Sequence, residues 1–263
     1  MFDLTQPVRI LNVTAEEKNT RLIIRIAGQE RPKSLPLVVI DPGHGGVDPG
    51  TLAPGGIEEK DIVLAYAKAL QGKLLKSGKY RVMLTRTNDR FIALRERIAI
   101  ARKAGAALFI SLHADSAPDN VRGLSIYTVS EKASDEEAGA LAARENKADV
   151  LAGMDLSTER EDVAGILISL AQRETNNHSA TLADALVASL NHKVKLLQKS
   201  HRFAGFAVLK APDIPSVLVE LGFLSHRDDR KLLQSSSYRD KVTDGLAAGI
   251  DSYFRHQKKM GNE

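Results

Sequence analysis

Cysteine is absent from all 263 residues. No thiol nucleophile is therefore available, and the lack of thiols is compatible with an oxidising compartment without establishing one. No Gly-x-Ser-x-Gly elbow occurs either, which removes the usual serine-hydrolase arrangement. No run approaches the roughly 20 apolar residues that a transmembrane helix requires, and the opening MFDLTQPVRI lacks the apolar core of a signal peptide. Glycines cluster in one segment, but the Lys-Ser/Thr pair of a phosphate-binding loop is missing from it and carboxylates crowd it. The net charge of +4 is too small to imply an anionic partner, and no nucleic-acid partner is expected. What remains is an ordinary globular composition, with 43% apolar and 27% charged residues and enough length for one sizeable α/β domain.

The chain is organised around residues 35–61, LPLVVIDPGHGGVDPGTLAPGGIEEKD. Leu35, Leu37, Val38, Val39 and Ile40 form a nearly continuous apolar run, which suits a central strand buried on both faces. Prolines and glycines from Asp41 to Gly50 then forbid a regular element. His44 accordingly belongs to a loop at the carboxyl end of a strand, where open α/β sheets hold ligands. A helix is predicted to begin near Glu58, with Ile62, Tyr66, Ala69 and Leu70 at helical spacing. Glu59 falls in its first turn, where a carboxylate either complements the helix dipole or serves the site.

Two later stretches repeat the design. ALFISL (107–112) leads into His113-Ala114-Asp115, and SVLV (216–219) leads into Glu220-Leu221-Gly222. If the three runs are parallel neighbours, then His44, Glu59, His113 and Glu220 converge on one edge of the sheet. Two imidazoles and a carboxylate are the ligand set of a hydrolytic zinc site, and a further carboxylate supplies a general base.

The combination IDPGHGGVDPG, GGIEEKD, SLHAD and LVELGFLS strongly resembles the zinc-dependent N-acetylmuramoyl-L-alanine amidases that cleave peptidoglycan, over residues 35–256. The resemblance implies that His44, Glu59 and His113 hold one Zn2+ while Glu220 is the catalytic carboxylate. It implies hydrolysis of the amide between N-acetylmuramic acid and the L-alanine of the stem peptide, without a covalent intermediate. The fold expected is α/β, a mixed, largely parallel sheet flanked by helices, with the zinc site at the carboxyl edge of the strands. Because that substrate lies outside the cytoplasm, the expected location is the periplasm, and an export signal is expected to precede residue 1, with a wall-targeting domain there left open. The rivals are a zinc peptidase acting on stem peptides and a non-catalytic wall-binding protein.

Between a strand at 123–129 and a helix at 181–197 lie about 50 residues that a minimal hydrolase does not need, and insertions of that length are usually functional or disordered. The insertion, residues 131–180, reads as helical. Its first part starts at a Ser134 cap signal and ends at Gly153. Its second places Val163, Ile166, Leu167 and Leu170 on one stripe, which either packs on the protein's own core or forms a docking surface. RENKAD and SLAQRET are similar to the insertion of division-associated amidases, which implies a helix that blocks the zinc site until a LytM-domain activator binds. On that reading Glu145 reaches the open metal position.

Elsewhere, VRILNV and RLIIRI predict a hairpin within residues 1–34, with 29–34 as linker. Arg81–Thr85 reads as a strand, and Asp89 caps or precedes a helix carrying Phe91, Leu94, Ile98 and Ala101. Arg86 and Arg95 are divided between a substrate role and an ordinary surface role. Residues 204–211 read as a strand and its exit, Ser225 and Asp228 as a helix start, 238–256 as a final core-facing helix, and 257–263 as a tail. His178, His192, His201, His226 and His256 are expected to be structural or exposed.

Overall fold

The computed structural model describes residues 8–15, 22–28, 35–118, 121–151 and 165–260. The chain divides into two compact units, Met1–Leu35 and Pro36–Glu263. In the first, β1 (Val8–Ala15) and β2 (Leu22–Gly28) pair antiparallel, with a register shift between Ile10 and Asn12. The hairpin expected from VRILNV and RLIIRI is present.

The second unit begins with β3 (Leu37–Pro42), buried along its whole length. Leu35 is left outside, 45% exposed. A small ribbon of β4 (Leu52–Ala53) and β5 (Ile57–Glu58) closes the glycine-rich loop and delivers the chain to α1 (Glu59–Lys76). There follow β6 (Arg81–Leu84), α2 (Leu94–Ala104), β7 (Leu108–His113) and β8 (Leu124–Val129). The insertion contributes α3 (Glu136–Glu145) and α4 (Ala148–Leu151), and α5 (Gly165–Leu190) returns the chain to the core. The chain ends with β9 (Leu196–Ala204), a 3-10 turn at Ala207–Leu209, β10 (Ser216–Glu220), α6 (Arg227–Leu233) and α7 (Ser236–Met260).

The six-stranded sheet has the order β6-β3-β7-β10-β8-β9. Its first four strands are parallel, β8 runs antiparallel to β10, and β9 runs parallel to β8. This is the mixed, largely parallel α/β fold anticipated. Strand alternation sorts the core into two layers. Val38, Ile40, Ile110 and Val219 face α1, α5 and α7, whereas Val39, Phe109, Leu218 and Tyr127 face α2 and α3. Val242, Leu246 and Ile250 of α7 are fully buried, each worth about 1.5–3 kcal/mol of apolar burial.

Several boundaries differ from expectation for physical reasons. Asp89 does not cap α2, because its carboxylate is taken by the Gly46 N–H and the Lys60 ammonium. Asp149 of the insertion accepts from the Leu94 N–H at 2.9 Å in its place. Asp135 rather than Ser134 caps α3, accepting from the Ala138 N–H at 2.9 Å. The second insertion helix and the helix predicted at 181–197 are one element, α5, which stops at Leu190 because His192 takes a left-handed φ of 67°. The strand predicted at 204–211 instead occupies 196–204. Its partner β8 ends at Val129, which pairs with Ala204, so nothing remains for residues beyond to pair with. The Ser225–Asp228 start is capped by His226, whose Nδ1 accepts from the Asp228 N–H.

Candidate metal centre

The loop after β3 is held by a buried polar frame. Asp41 is fully buried and accepts from Thr85 Oγ1, Ser111 Oγ and, at 2.8 Å, Arg97 Nη1. Arg97 also donates to the carbonyls of Pro42 and His44, each at 2.8 Å. Arg86, only 1% exposed, donates to the carbonyls of Pro42, Gly43, Asn88 and Lys60. Neither a substrate contact nor a surface position describes it. Two guanidiniums thus satisfy the carbonyls of an irregular, buried backbone that offers no partners of its own. Arg95 is exposed on α2.

That frame forces close approach at the site. A side chain on Gly43 would meet the His113 ring at 2.4 Å, and one on Gly50 would meet His44 at 2.7 Å and Glu59 at 2.8 Å. His44 itself sits at φ 57°. Its Nδ1 lies 2.8 Å from Asp48 Oδ2, which fixes Nδ1 as the protonated nitrogen and leaves Nε2 as the ligand atom. Nε2 is 3.1 Å from Glu59 Oε1. Glu59 enters from the first turn of α1, fully buried, its two oxygens accepting from the Ala114 and Thr51 N–H groups at 2.8 and 2.9 Å. His113, at the end of β7, presents Nδ1 at 3.3 Å from Glu59 Oε1.

A fourth group comes from the insertion. Glu145, the last residue of α3, is 6% exposed, and its Oε2 lies 3.0 Å from His113 Nδ1 and 3.6 Å from His44 Nε2. One ligand atom from each of His44, Glu59, His113 and Glu145 lies within 4.8 Å of the others. Glu220 ends β10 directly beside His113 in the sheet register. Its Oε1 accepts from the Asp115 N–H at 2.6 Å, and Oε2 has no hydrogen-bond partner among the described residues.

This geometry can be set beside known proteins. Residues 38–252 match the family model for N-acetylmuramoyl-L-alanine amidase. The chain belongs to that family. It is 38% identical over 234 residues to the N-acetylmuramoyl-L-alanine amidase AmiA of Salmonella typhimurium, covering 86% of this chain and 81% of that one. It is 37% identical to AmiC of Neisseria meningitidis, covering 86% of this chain and 55% of the relative. Among solved structures, the amidase AmiC2 of Nostoc punctiforme superposes with a TM-score of 0.61 at 26% identity, covering 84% of this chain and 98% of that one.

The electrostatics of the amidase site suit a divalent cation. His44 Nε2, His113 Nδ1 and Glu220 Oε2 are buried atoms without a hydrogen bond of acceptable geometry, although carboxylate oxygens lie close to both imidazoles. Burial opposes charging the histidines, yet Glu59 and Glu145 raise His44 well above the usual range, and Glu145 and Glu59 push His113 up to about 10. Burial would raise Glu59, but His44 and His113 hold it well below the usual carboxylate range. Protons on two imidazoles here supply the positive charge that the carboxylates demand, and a divalent cation supplies the same charge through the same atoms. The four side chains can therefore bind a metal. Glu220 differs, because burial, with Glu59 and Asp115 adding repulsion, raises it well above the usual range.

Sequence reasoning missed the supporting residues of the amidase site. Asp48 lies four residues after His44, a spacing that could have been read. Asp41, Arg97 and Asp115 carry no local signal, since their partners come from distant segments. Of the stripe in the insertion, Val163 lies outside the described residues, while Ile166, Leu167 and Leu170 fall in the first two turns of α5. No described helix is long and apolar enough to cross a membrane.

Proposed function

We propose that this amidase hydrolyses the N-acetylmuramoyl–L-alanine bond of peptidoglycan with one zinc ion, in the periplasm, during septal wall splitting. We further propose that α3 holds it inactive until a LytM-domain activator displaces the helix. The observation that carries this reading is Glu145: a carboxylate from a dispensable insertion completes a cluster otherwise built from strand ends and α1.

His44, Glu59 and His113 would hold the zinc. When bound, zinc polarises the scissile carbonyl and makes water a competent nucleophile at neutral pH. Glu220 is the proton carrier. Its Oε1 is tied to the Asp115 N–H, so the unpartnered Oε2 is the atom that takes a proton from the attacking water and returns it to the leaving amine. The two buried arginines keep the loop of His44 from relaxing. Glu145 occupies the face of the site that a substrate carbonyl needs.

The test is release of dye-labelled muropeptides by the zinc-loaded parent and by Glu145→Ala. A silent parent and an active variant support self-blocking, whereas equal release removes the blocking role and leaves the amidase. A point substitution is preferable to deleting residues 134–175, which also removes the Asp149 cap of α2 and cuts into α5. Glu220→Ala should retain zinc and lose turnover.

A further inference from the structure

A cavity of about 310 Å³ opens beside the metal cluster, between α3 and the sheet. Its fixed walls are Pro118 and Val121 after β7, Tyr127 of β8 and Phe223 after β10, and Leu141 of α3 covers it. At its wall stands Arg202 of β9, a guanidinium 5% exposed, with Glu136, Glu137 and Arg144 of α3 on the facing side.

Two carboxylates of the insertion satisfy this cation. Arg202 Nε donates to Asp135 Oδ2 at 3.0 Å, and Nη2 donates to Asp135 Oδ1 and, at 3.0 Å, to Glu137 Oε2. Its remaining contacts belong to the body of the enzyme. Nη1 lies 3.3 Å from the Tyr127 hydroxyl, and the guanidinium carbon sits 5.8 Å from the centre of the Tyr127 ring. The Tyr127 hydroxyl in turn lies 3.4 Å from Ser125 Oγ, and Ser125 is the residue that pairs with Glu220 across β8 and β10. The cation is therefore on the same face of the sheet as the catalytic carboxylate.

If α3 departs, Asp135 and Glu137 depart with it, and Arg202 loses both counter-charges as it opens to the site while keeping its contacts to Tyr127. A carboxylate that enters there regains a charge-assisted pair. The guanidinium fork matches a carboxylate in two-point geometry, and apolar walls strengthen such a pair. The lactyl carboxyl of the substrate is consumed in the scissile amide, so the substrate's free carboxylates lie on its peptide. We infer that Arg202 is the carboxylate-binding residue of a substrate subsite that takes an acidic group of the stem peptide, and that Asp135 and Glu137 occupy this subsite while α3 is seated. The inference rests on the proposed departure of α3 during activation. It adds a source of selectivity, since a peptide carboxylate replaces carboxylates already balanced by the same cation.

The test compares two synthetic muramoyl peptides that differ only in whether the free carboxylate nearest the scissile amide is an acid or a carboxamide. Zinc-loaded full-length Glu145→Ala carrying Asp135→Asn and Glu137→Gln as well, so that α3 no longer holds Arg202, should prefer the acid by about tenfold or more in kcat/KM, mainly through KM. Adding Arg202→Gln should abolish the preference, and Arg202→Lys should keep part of it. The ratio is taken within each protein, so partial misfolding of a variant does not create or erase it. Equal rates for acid and amide in that triple variant, or a preference that survives the addition of Arg202→Gln, would overturn the inference. If Glu145→Ala shows no turnover, the self-blocking reading fails separately. The subsite is then decided by titrating arginine-labelled Asp135→Asn/Glu137→Gln protein, in which the carboxylates of α3 no longer hold Arg202, with the free stem peptides. An Arg202 Nε–H resonance shifted by the acid and not by the amide supports it, and no such difference overturns it.

Discussion

At the scale of single residues, the site depends on groups that never touch substrate. Asp41 and Arg97 form a fully buried pair at 2.8 Å. Removing one member strands the other, which costs about 3–5 kcal/mol. Asp41→Asn should therefore lower unfolding free energy by about that amount at pH 7, measured by urea denaturation. The pH dependence has a definite sign. Burial raises Asp41, but Arg97 and the hydrogen bonds from Thr85 and Ser111 outweigh it and leave the group lowered. A lowered carboxylate contributes stability above its unfolded value near 4, and that stability is lost as pH falls through the folded value. The deficit of Asp41→Asn should thus shrink on acidification. His44 and His113 carry the opposite shift, so the metal-free protein holds both protonated at neutral pH. Zinc binding should release about two protons near pH 7 and weaken as pH falls. Calorimetry in buffers of different ionisation enthalpy measures that number, and release near zero would show that the imidazoles are already neutral before the metal binds.

At the scale of elements, α3 is fastened at both ends. Its first turn is tied through Asp135 and Glu137 to Arg202, and its last through Arg144 to Asp115 at 2.8 Å. Asp149, just beyond, caps α2. Asp149→Ala should cost about 1 kcal/mol in stability, the usual value of a lost cap, and should raise hydrogen exchange at the start of α2. Strand ends and their loops were legible in sequence because their signals are local: an apolar run, then proline, glycine and a ligand. The N-terminus of α3, by contrast, was misread by one residue, because Ser134 and Asp135 both fit a cap and only the fold shows which accepts from Ala138. β9 was hidden because LLQKSHRFA is largely polar, as an edge strand is, and follows a helix without a proline to separate them. The roles of Arg86 and Arg97 were illegible for a different reason. Their partners are backbone carbonyls, which have no sequence signature.

At the scale of the whole molecule, a parallel sheet brings three strand ends into register, and one helix start adds the carboxylate that links the two histidines. Glycine at position 43 is what permits the approach of the β3 loop to the β7 strand end. Gly43→Ala should abolish stoichiometric zinc binding while leaving most of the helical circular dichroism, since the atoms nearest the added methyl are those of the His113 ring. The insertion then adds a fourth group, Glu145, to a cluster that three distant segments have already formed.

The central claim is that these four side chains form one metal centre with Glu145 as its removable member. Anomalous diffraction at the zinc edge from crystals of the zinc-loaded parent tests it most directly. The account predicts a single peak bonded by His44, Glu59, His113 and Glu145, with Glu220 alongside and unbonded. A peak elsewhere, or one that leaves out the histidines or Glu145, would contradict it.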